Sequence, residues 1–140
     1  MNDLRDLYQE VILDHNKRPR NFRIISQPTH KADGINPLCG DQVSVYLDIR
    51  EGVIKDIAFQ GAGCAISSAS ASLMTELLKG KDVNEVEYLF NSFHSVVTTD
   101  CDCPKGLGKL SVLAGIRDYP SRIKCATLAW HAMRAALERS

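Results

Sequence analysis

A change of hydrophobic period between residues 42 and 79 constrains the fold of this chain more than any other feature of its sequence. From residue 42 polar and apolar residues alternate, which is typical of a strand with one buried face. The apolar positions of that stretch are Val43, Val45, Leu47 and Ile49. The pair Glu51-Gly52 then predicts a tight turn, and residues 53–60 predict the returning strand of a β-hairpin.

The pattern becomes helical from Cys64 to Lys79, and Gly80 provides the stop that often ends a helix. The first half of this stretch is almost entirely alanine and serine, so another backbone can approach it closely. A third strand is expected within residues 22–33, and a loop at 98–108. Further helices are expected at residues 3–17, from 83 to about 97, at 109–116 and at 122–138, with Ser121 as the N-cap of the last one.

These elements predict an α+β fold, in which a small antiparallel β-sheet of about three strands has helices packed on one face. The order along the chain is a helix, then strands, then helices only. A length of 140 residues suits one hydrophobic core, so we expect residues 1–140 to form a single domain.

The charge balance and the hydrophobic pattern argue against two classes of partner. Lys+Arg and Asp+Glu both number 17, so the formal net charge is zero and gives no attraction to nucleic acid or an anionic membrane. No apolar run approaches the roughly 20 residues of a membrane span, and residues 1–5 lack the apolar region of a signal peptide. The sequence therefore predicts a soluble, cytoplasmic protein that binds neither nucleic acid nor membrane.

Five cysteines, an odd number, in a chain expected in a reducing compartment favour metal ligands or nucleophiles over disulfides. Cys39 lies in a turn sequence, Asn36-Pro37-Leu38-Cys39-Gly40-Asp41, with a carboxylate two residues later. Cys64 and Cys125 each lie at the predicted start of a helix, where backbone N–H groups favour a thiolate. Three thiolates and the carboxylate of Asp41 would make a tetrahedral site for zinc or iron.

Each of these residues also has a structural interpretation. A single buried cysteine is usually a small core residue, and Asp41 alone could cap a turn. The spacing 39, 64 and 125 is weak by itself, but glycine and proline beside the cysteines indicate exposed backbone rather than core. Cys101 and Cys103 could bind a second metal, resolve a persulfide or be two exposed thiols, and we favour the last interpretation.

Four separated motifs stand out, namely Asp14-His15-Asn16-Lys17-Arg18-Pro19-Arg20-Asn21, Asn36 to Asp41, Gly61 to Ser67, and Arg122 to Leu128. Together they resemble the IscU/SufU family of iron–sulfur cluster assembly proteins, which is NifU N-terminal-like. The resemblance runs from about residue 4 to residue 138. Lys124 stands where the IscU branch of the family has a histidine, and the stretch between Cys64 and Cys125 is long, so the chain is most similar to the SufU branch.

The resemblance implies a Zn²⁺ site formed by Cys39, Asp41, Cys64 and Cys125, with Cys39 accepting persulfide sulfur from a SufS-type cysteine desulfurase. The alternative that it implies is a scaffold on which the same ligands assemble a [2Fe-2S] cluster for downstream cluster-assembly proteins. A purely structural zinc site is a third interpretation. Ligands on turns and a carboxylate in the fourth position argue against it, because structural sites are usually closed and rich in thiolate or imidazole.

Arg122 and Lys124 are candidates for supporting roles at this site. Cations at a helix N-terminus oppose the helix dipole, and two solvated charges are the simpler interpretation. Three thiolates and a carboxylate around one divalent ion leave a formal charge of about −2, which such cations would offset. We therefore expect Arg122 to contact the partner and Lys124 to tune the electrostatics of the site.

Overall fold

Three antiparallel strands and four helices make up the part of the chain that the structure describes. The computed structural model describes residues 3–37, 40–98, 113, 116 and 120–138. The strands lie in the order β1-β2-β3 and are β1 (His30–Asn36), β2 (Asp41–Arg50) and β3 (Val53–Ala62). The helices are α1 (Asp3–Lys17), α2 (Ala65–Leu78), α3 (Val83–Thr98) and α4 (Pro120–Glu138).

The predicted α+β architecture is confirmed, with a three-stranded antiparallel sheet and helices packed against it. Almost all of the loop expected at 98–108, and most of the helix expected at 109–116, lie outside the described residues. The helices in the described part of the chain include none that is both long enough and apolar enough to span a membrane.

The hairpin that the alternation predicted is formed by β2 and β3. Arg50 pairs with Val53, so the loop consists of Glu51-Gly52, and both residues have positive φ, 54° and 75°. Two left-handed residues in a two-residue loop fit a type I′ turn, whose twist matches that of the flanking strands. The alternation also places the apolar side chains as expected, because Val45 and Leu47 are fully buried.

The third strand lies later in the chain than the sequence predicted, and β1 overlaps the expected range 22–33 only at its end. The segment before it lies against β3 instead. Phe22 packs edge-on against Phe59, with ring centroids 5.2 Å apart, and the Arg23 N–H donates to the Phe59 carbonyl. Pro28, which has no N–H for a strand ladder, separates this segment from β1.

The helices α2 and α4 both pack directly on the sheet. α4 packs on β1 and β2, α2 packs on β3, and α1 and α3 pack on α2 and α4 respectively. Gly34 in β1 lets α4 come close, since a Cβ there would lie 3.1 Å from Leu128 Cδ1. The small residues of α2 bring it close to α4, where the Ser70 hydroxyl donates to the Ala126 carbonyl at 2.5 Å.

The last helix begins at Pro120, earlier than the predicted residue 122. Proline suits the first helical position because its φ is already helical and its missing N–H would have no partner there. Ser121 therefore lies inside the first turn, and its predicted role as N-cap is wrong. The predicted position of Cys125 at the helix start is also wrong. Cys125 lies in the second turn, and the dipole effect falls off within the first.

Residues 14–21, the first motif of the resemblance, join α1 to α2 through buried and partly buried polar contacts. The His15 ring is fully buried, and its Nδ1 lies 2.7 Å from the Ser72 hydroxyl oxygen. That oxygen also accepts the Arg20 N–H at 2.8 Å, and the Asn21 side chain donates to the Thr75 hydroxyl at 3.0 Å. The motif thus has a structural role, because it holds the segment after α1 against α2.

The contact between α3 and α4 makes the stability of the fold depend on pH. The His131 ring packs edge-on against Phe90, with centroids 5.4 Å apart, near His94 and Arg134. Burial of the imidazole, and then the charges of His94 and Arg134, lower the pKa of His131 below its ordinary 6.5. The unfolded chain therefore takes up this proton more readily than the folded one. The contribution to stability is present above about pH 6.5 and is lost as the pH falls through the lowered pKa.

We expect the free energy of unfolding to fall more steeply between about pH 6.5 and about pH 5 in the wild-type protein than in a His131→Gln variant. Glutamine does not titrate, and the substitution leaves the ion pair between Arg134 and Glu87, at 2.9 Å, in place. Urea unfolding across this range measures the two slopes. Equal slopes would show that His131 is not the group responsible.

Candidate metal centre

Cys64 caps the N-terminus of α2, as the sequence predicted. Its backbone is extended, with φ −73° and ψ 167°, and its sulfur accepts the Ser67 N–H at 3.5 Å. The sulfur thus takes the place of the side-chain oxygen that usually satisfies an N–H group at a helix start. Cys64 is partly buried.

Asp41 is the first residue of β2, and its side chain is fully buried. It pairs with Asn36, the last residue of β1. One carboxylate oxygen, Oδ1, accepts the Cys64 N–H at 2.9 Å, and the other, Oδ2, lies 3.9 Å from the Cys64 sulfur. Burial makes a carboxylate costly unless hydrogen bonds and a positive charge compensate for it. A metal ion at Oδ2 would supply that charge.

Cys125 brings the third donor from α4, and its side chain is fully buried. The Asp41 carboxylate and the sulfurs of Cys64 and Cys125 all lie within 4.8 Å of one another. A zinc ion takes sulfur at about 2.3 Å and carboxylate oxygen at about 2.0–2.2 Å, so one ion can bridge donors so spaced. The structure thus brings together three of the four predicted ligands from β2, α2 and α4.

The remaining cysteines singled out in the sequence lie outside the described residues. They are Cys39, Cys101 and Cys103. Cys39 falls between β1 and β2 and precedes Asp41 by two residues in the sequence. Its role as a fourth ligand therefore stays a prediction, and so does the interpretation of Cys101 and Cys103 as exposed thiols.

Arg122 and Lys124 lie on the first turns of α4, ahead of Cys125, and both are exposed. Residues three apart on a helix share a face, so Arg122 lies on the same side of α4 as Cys125, one turn nearer the N-terminus. Lys124 directly precedes Cys125 and points to a different side. The two cations are therefore close to the site without belonging to its donor set.

The sequence interpretation missed a contact between Gly63 and Asp41. Glycine beside Cys64 indicated exposed backbone, whereas a Cβ on Gly63 would lie 2.5 Å from Asp41 Oδ1. Gly63 therefore makes room for a carboxylate that is distant in sequence. The only signal in the sequence was the Gly63-Cys64 pair itself, which does not say what occupies the space.

Residues 7–139, nearly the whole chain, match the family described as the NifU-like N terminal domain. The chain belongs to this family. The resemblance carried by the four motifs is thus confirmed, and Asp41, Cys64 and Cys125 all lie within the matched residues.

Relatives of this NifU-like chain carry two different names. It is 40% identical, over 147 residues, to an iron–sulfur cluster assembly scaffold protein IscU from Streptococcus pyogenes serotype M1, with 100% of this chain and 88% of that protein covered. It is 36% identical, over 138 residues, to a zinc-dependent sulfurtransferase SufU from Bacillus subtilis, with 98% and 93% covered. The crystal structure of an N-terminal nitrogen-fixing NifU-like protein from Brucella abortus superimposes with a TM-score of 0.87 at 25% identity, covering 95% of this chain and 93% of that one.

Proposed function

We propose that this chain binds zinc through Cys39, Asp41, Cys64 and Cys125 and relays sulfur for iron–sulfur cluster assembly, with residues 1–140 acting as one cytoplasmic domain. The observation that carries the proposal is the convergence of the Asp41 carboxylate and the Cys64 and Cys125 sulfurs within 4.8 Å. Cys39 would complete a tetrahedral set of three thiolates and one carboxylate. The name of the Bacillus subtilis relative, zinc-dependent sulfurtransferase, supports the same chemistry.

The sulfur would come from a SufS-type cysteine desulfurase that carries a persulfide. The Cys39 thiolate attacks the outer sulfur, the sulfur–sulfur bond of the donor breaks, and the desulfurase thiolate leaves. Cys39 then carries the persulfide with no net gain or loss of electrons, and downstream cluster-assembly proteins receive it. Zinc, when bound, would supply thiolates at neutral pH without redox chemistry of its own. Cys64 caps α2 and Cys125 lies on α4, so the fold holds them in place while Cys39 reacts.

A second function uses the same donors, namely a scaffold on which a [2Fe-2S] cluster is assembled and handed to apo-proteins. The observation that favours it is the 40% identity to the Streptococcus pyogenes protein named as a scaffold. Both functions need access to the metal, and of the three described donors only Cys64 is not fully buried. A structural zinc site is usually rich in thiolate or imidazole, so the Asp41 carboxylate in the donor set argues against the third interpretation.

Elemental analysis and an ultraviolet–visible spectrum of freshly purified protein separate the two functions. The sulfur relay predicts stoichiometric zinc and a colourless protein, whereas the scaffold predicts a brown protein with iron and acid-labile sulfide. A Cys64→Ala/Cys125→Ala double variant is the control for the ligands, because loss of two sulfur donors should remove the metal. Stoichiometric zinc in that variant would contradict the ligand assignment.

Substitution of the two cations on α4 is expected to separate partner binding from metal retention. Arg122→Ala should keep its zinc but stimulate the desulfurase less, because a guanidinium makes paired contacts to a partner's carboxylates. Lys124→Ala should weaken zinc retention modestly, because it removes a charge beside an anionic site. Desulfurase turnover against variant concentration, with zinc content measured in parallel, checks both.

The control for these variants is Arg50→Ala. Arg50 is also exposed, but it lies at the other end of β2 from Asp41, next to the hairpin turn. Arg50→Ala should stimulate the desulfurase and retain zinc as the wild-type protein does. If the Arg122 and Lys124 variants also stimulate the desulfurase and retain zinc at wild-type levels, both residues are ordinary solvated charges.

A further inference from the structure

The two oxygens of the Asp41 carboxylate have different surroundings. Oδ1 accepts the Cys64 backbone N–H at 2.9 Å, and Oδ2 faces the Cys64 sulfur at 3.9 Å. The side chain is fully buried, so bulk water does not compete for Oδ1. A carboxylate whose first oxygen is engaged by the backbone has its second oxygen left for a metal.

The hydrogen bond to Cys64 depends on the absence of a side chain at Gly63. A Cβ on Gly63 would lie 2.5 Å from Oδ1, 3.0 Å from Cγ and 3.2 Å from Cβ, all of them atoms of Asp41. Unlike Gly61, Gly63 is not among the glycines with positive φ, so an alanine could adopt its backbone conformation. What glycine provides at position 63 is therefore space for the carboxylate.

We propose that Gly63 is a positioning residue for Asp41: it lets the Cys64 N–H hold Oδ1, so that only Oδ2 is offered to the metal. The inference rests on the proposed zinc site and specifies how its carboxylate donor is oriented. With three thiolates, one carboxylate oxygen completes a four-coordinate site, whereas two oxygens would exceed it. Hydrogen bonds that orient a ligand matter for binding, and their loss typically lowers metal affinity about 10-fold to 100-fold.

Hydrogen exchange of the Cys64 amide in the metal-free protein tests the contact without zinc. We expect this amide to exchange roughly fivefold faster or more in Gly63→Ala and in Asp41→Ala, because each removes the hydrogen bond. The double variant should exchange no faster than the single ones, since the bond can be lost only once. Unchanged protection of the Cys64 amide in Gly63→Ala would overturn the proposal.

Zinc affinity, measured by competition with a chromophoric chelator, tests the consequence for the metal. Gly63→Ala should weaken binding about 10-fold or more when Asp41 is present. It should weaken binding by less than about twofold when Asp41 is already alanine, because the group that it displaces is gone. Equal losses in the two backgrounds would show that Gly63 acts through the backbone, and this would also overturn the proposal.

Gly34→Ala is the matched control, because a Cβ at Gly34 would also be crowded by its neighbours. A Cβ at Gly34 would lie 3.1 Å from Leu128 Cδ1, but this contact is with α4 and not with the metal donors. It should leave zinc affinity and the exchange of the Cys64 amide unchanged. An equal effect of Gly34→Ala on zinc affinity would show that crowding anywhere in the fold weakens the site, contrary to the proposal.

Two further results keep this inference distinct from the proposed function. A wild-type protein that binds no zinc contradicts the proposed zinc site, whereas the exchange of the Cys64 amide still decides the contact of Gly63 with Asp41. If Gly63→Ala alone fails to fold, recovery of folding in the double variant with Asp41→Ala supports the contact. The double variant lacks the oxygen that the added methyl group would meet, so its failure to fold would count against the proposal.

Discussion

Removal of zinc is expected to lower the free energy of unfolding of this protein by about 4 kcal/mol when free zinc exceeds its dissociation constant by about 1,000-fold. The donors Asp41, Cys64 and Cys125 come from β2, α2 and α4, so only the folded chain presents them together. For a chain of this length the loss corresponds to a fall of roughly 12 °C in the midpoint of thermal unfolding. The apolar core is built without the metal, so the metal-free protein should still fold.

Differential scanning calorimetry with and without a chelator measures this effect. The control is the Cys64→Ala/Cys125→Ala double variant, in which the shift caused by the chelator should vanish. The comparison is made within each protein, because shortening the buried Cys125 also removes packing contacts. A chelator shift of the same size in the double variant, or none in the wild-type protein, would contradict a metal that joins these three elements.

Replacement of Cys39 by serine is expected to abolish sulfur uptake from the desulfurase, because a hydroxyl cannot carry a persulfide. Cys39 falls between β1 and β2 in a sequence with Pro37 and Gly40, while Cys64 caps α2 and Cys125 lies on α4. It is therefore the candidate ligand whose release would disturb the fold least. The remaining donors should still retain metal, so the variant separates loss of the acceptor from loss of the site.

Peptide mapping by mass spectrometry, after incubation with desulfurase and cysteine, locates the added sulfur. It should lie on Cys39 in the wild-type protein and be absent from every peptide of Cys39→Ser. A Cys101→Ser/Cys103→Ser double variant is the control and should take up sulfur normally. Persulfide found only on Cys101 or Cys103 would transfer the acceptor role to those residues.

The local elements of this protein follow from its sequence because their signals lie a few residues apart. Alternation of apolar residues and the pair Glu51-Gly52 are sufficient for the β2–β3 hairpin, since both depend on neighbouring residues. The same holds for α2, where Gly80 follows the helix and Cys64 caps its start. The types of donor were also evident, because three cysteines and an aspartate in Gly- and Pro-rich surroundings are suited to a metal.

The tertiary structure alone decided the features that depend on residues distant in sequence. β1 is an edge strand with Gly34 and charged residues in it, so its limits are set by pairing with β2 rather than by its own pattern. Cys125 was expected at a helix start, but α4 begins at Pro120, and the packing of α4 on α2 and the sheet determines where the sulfur lies. The Gly63-Cys64 pair in the sequence did not show that the space beside Gly63 is occupied by Asp41. Such contacts depend on how whole elements pack, and hydrophobic periodicity does not encode that packing.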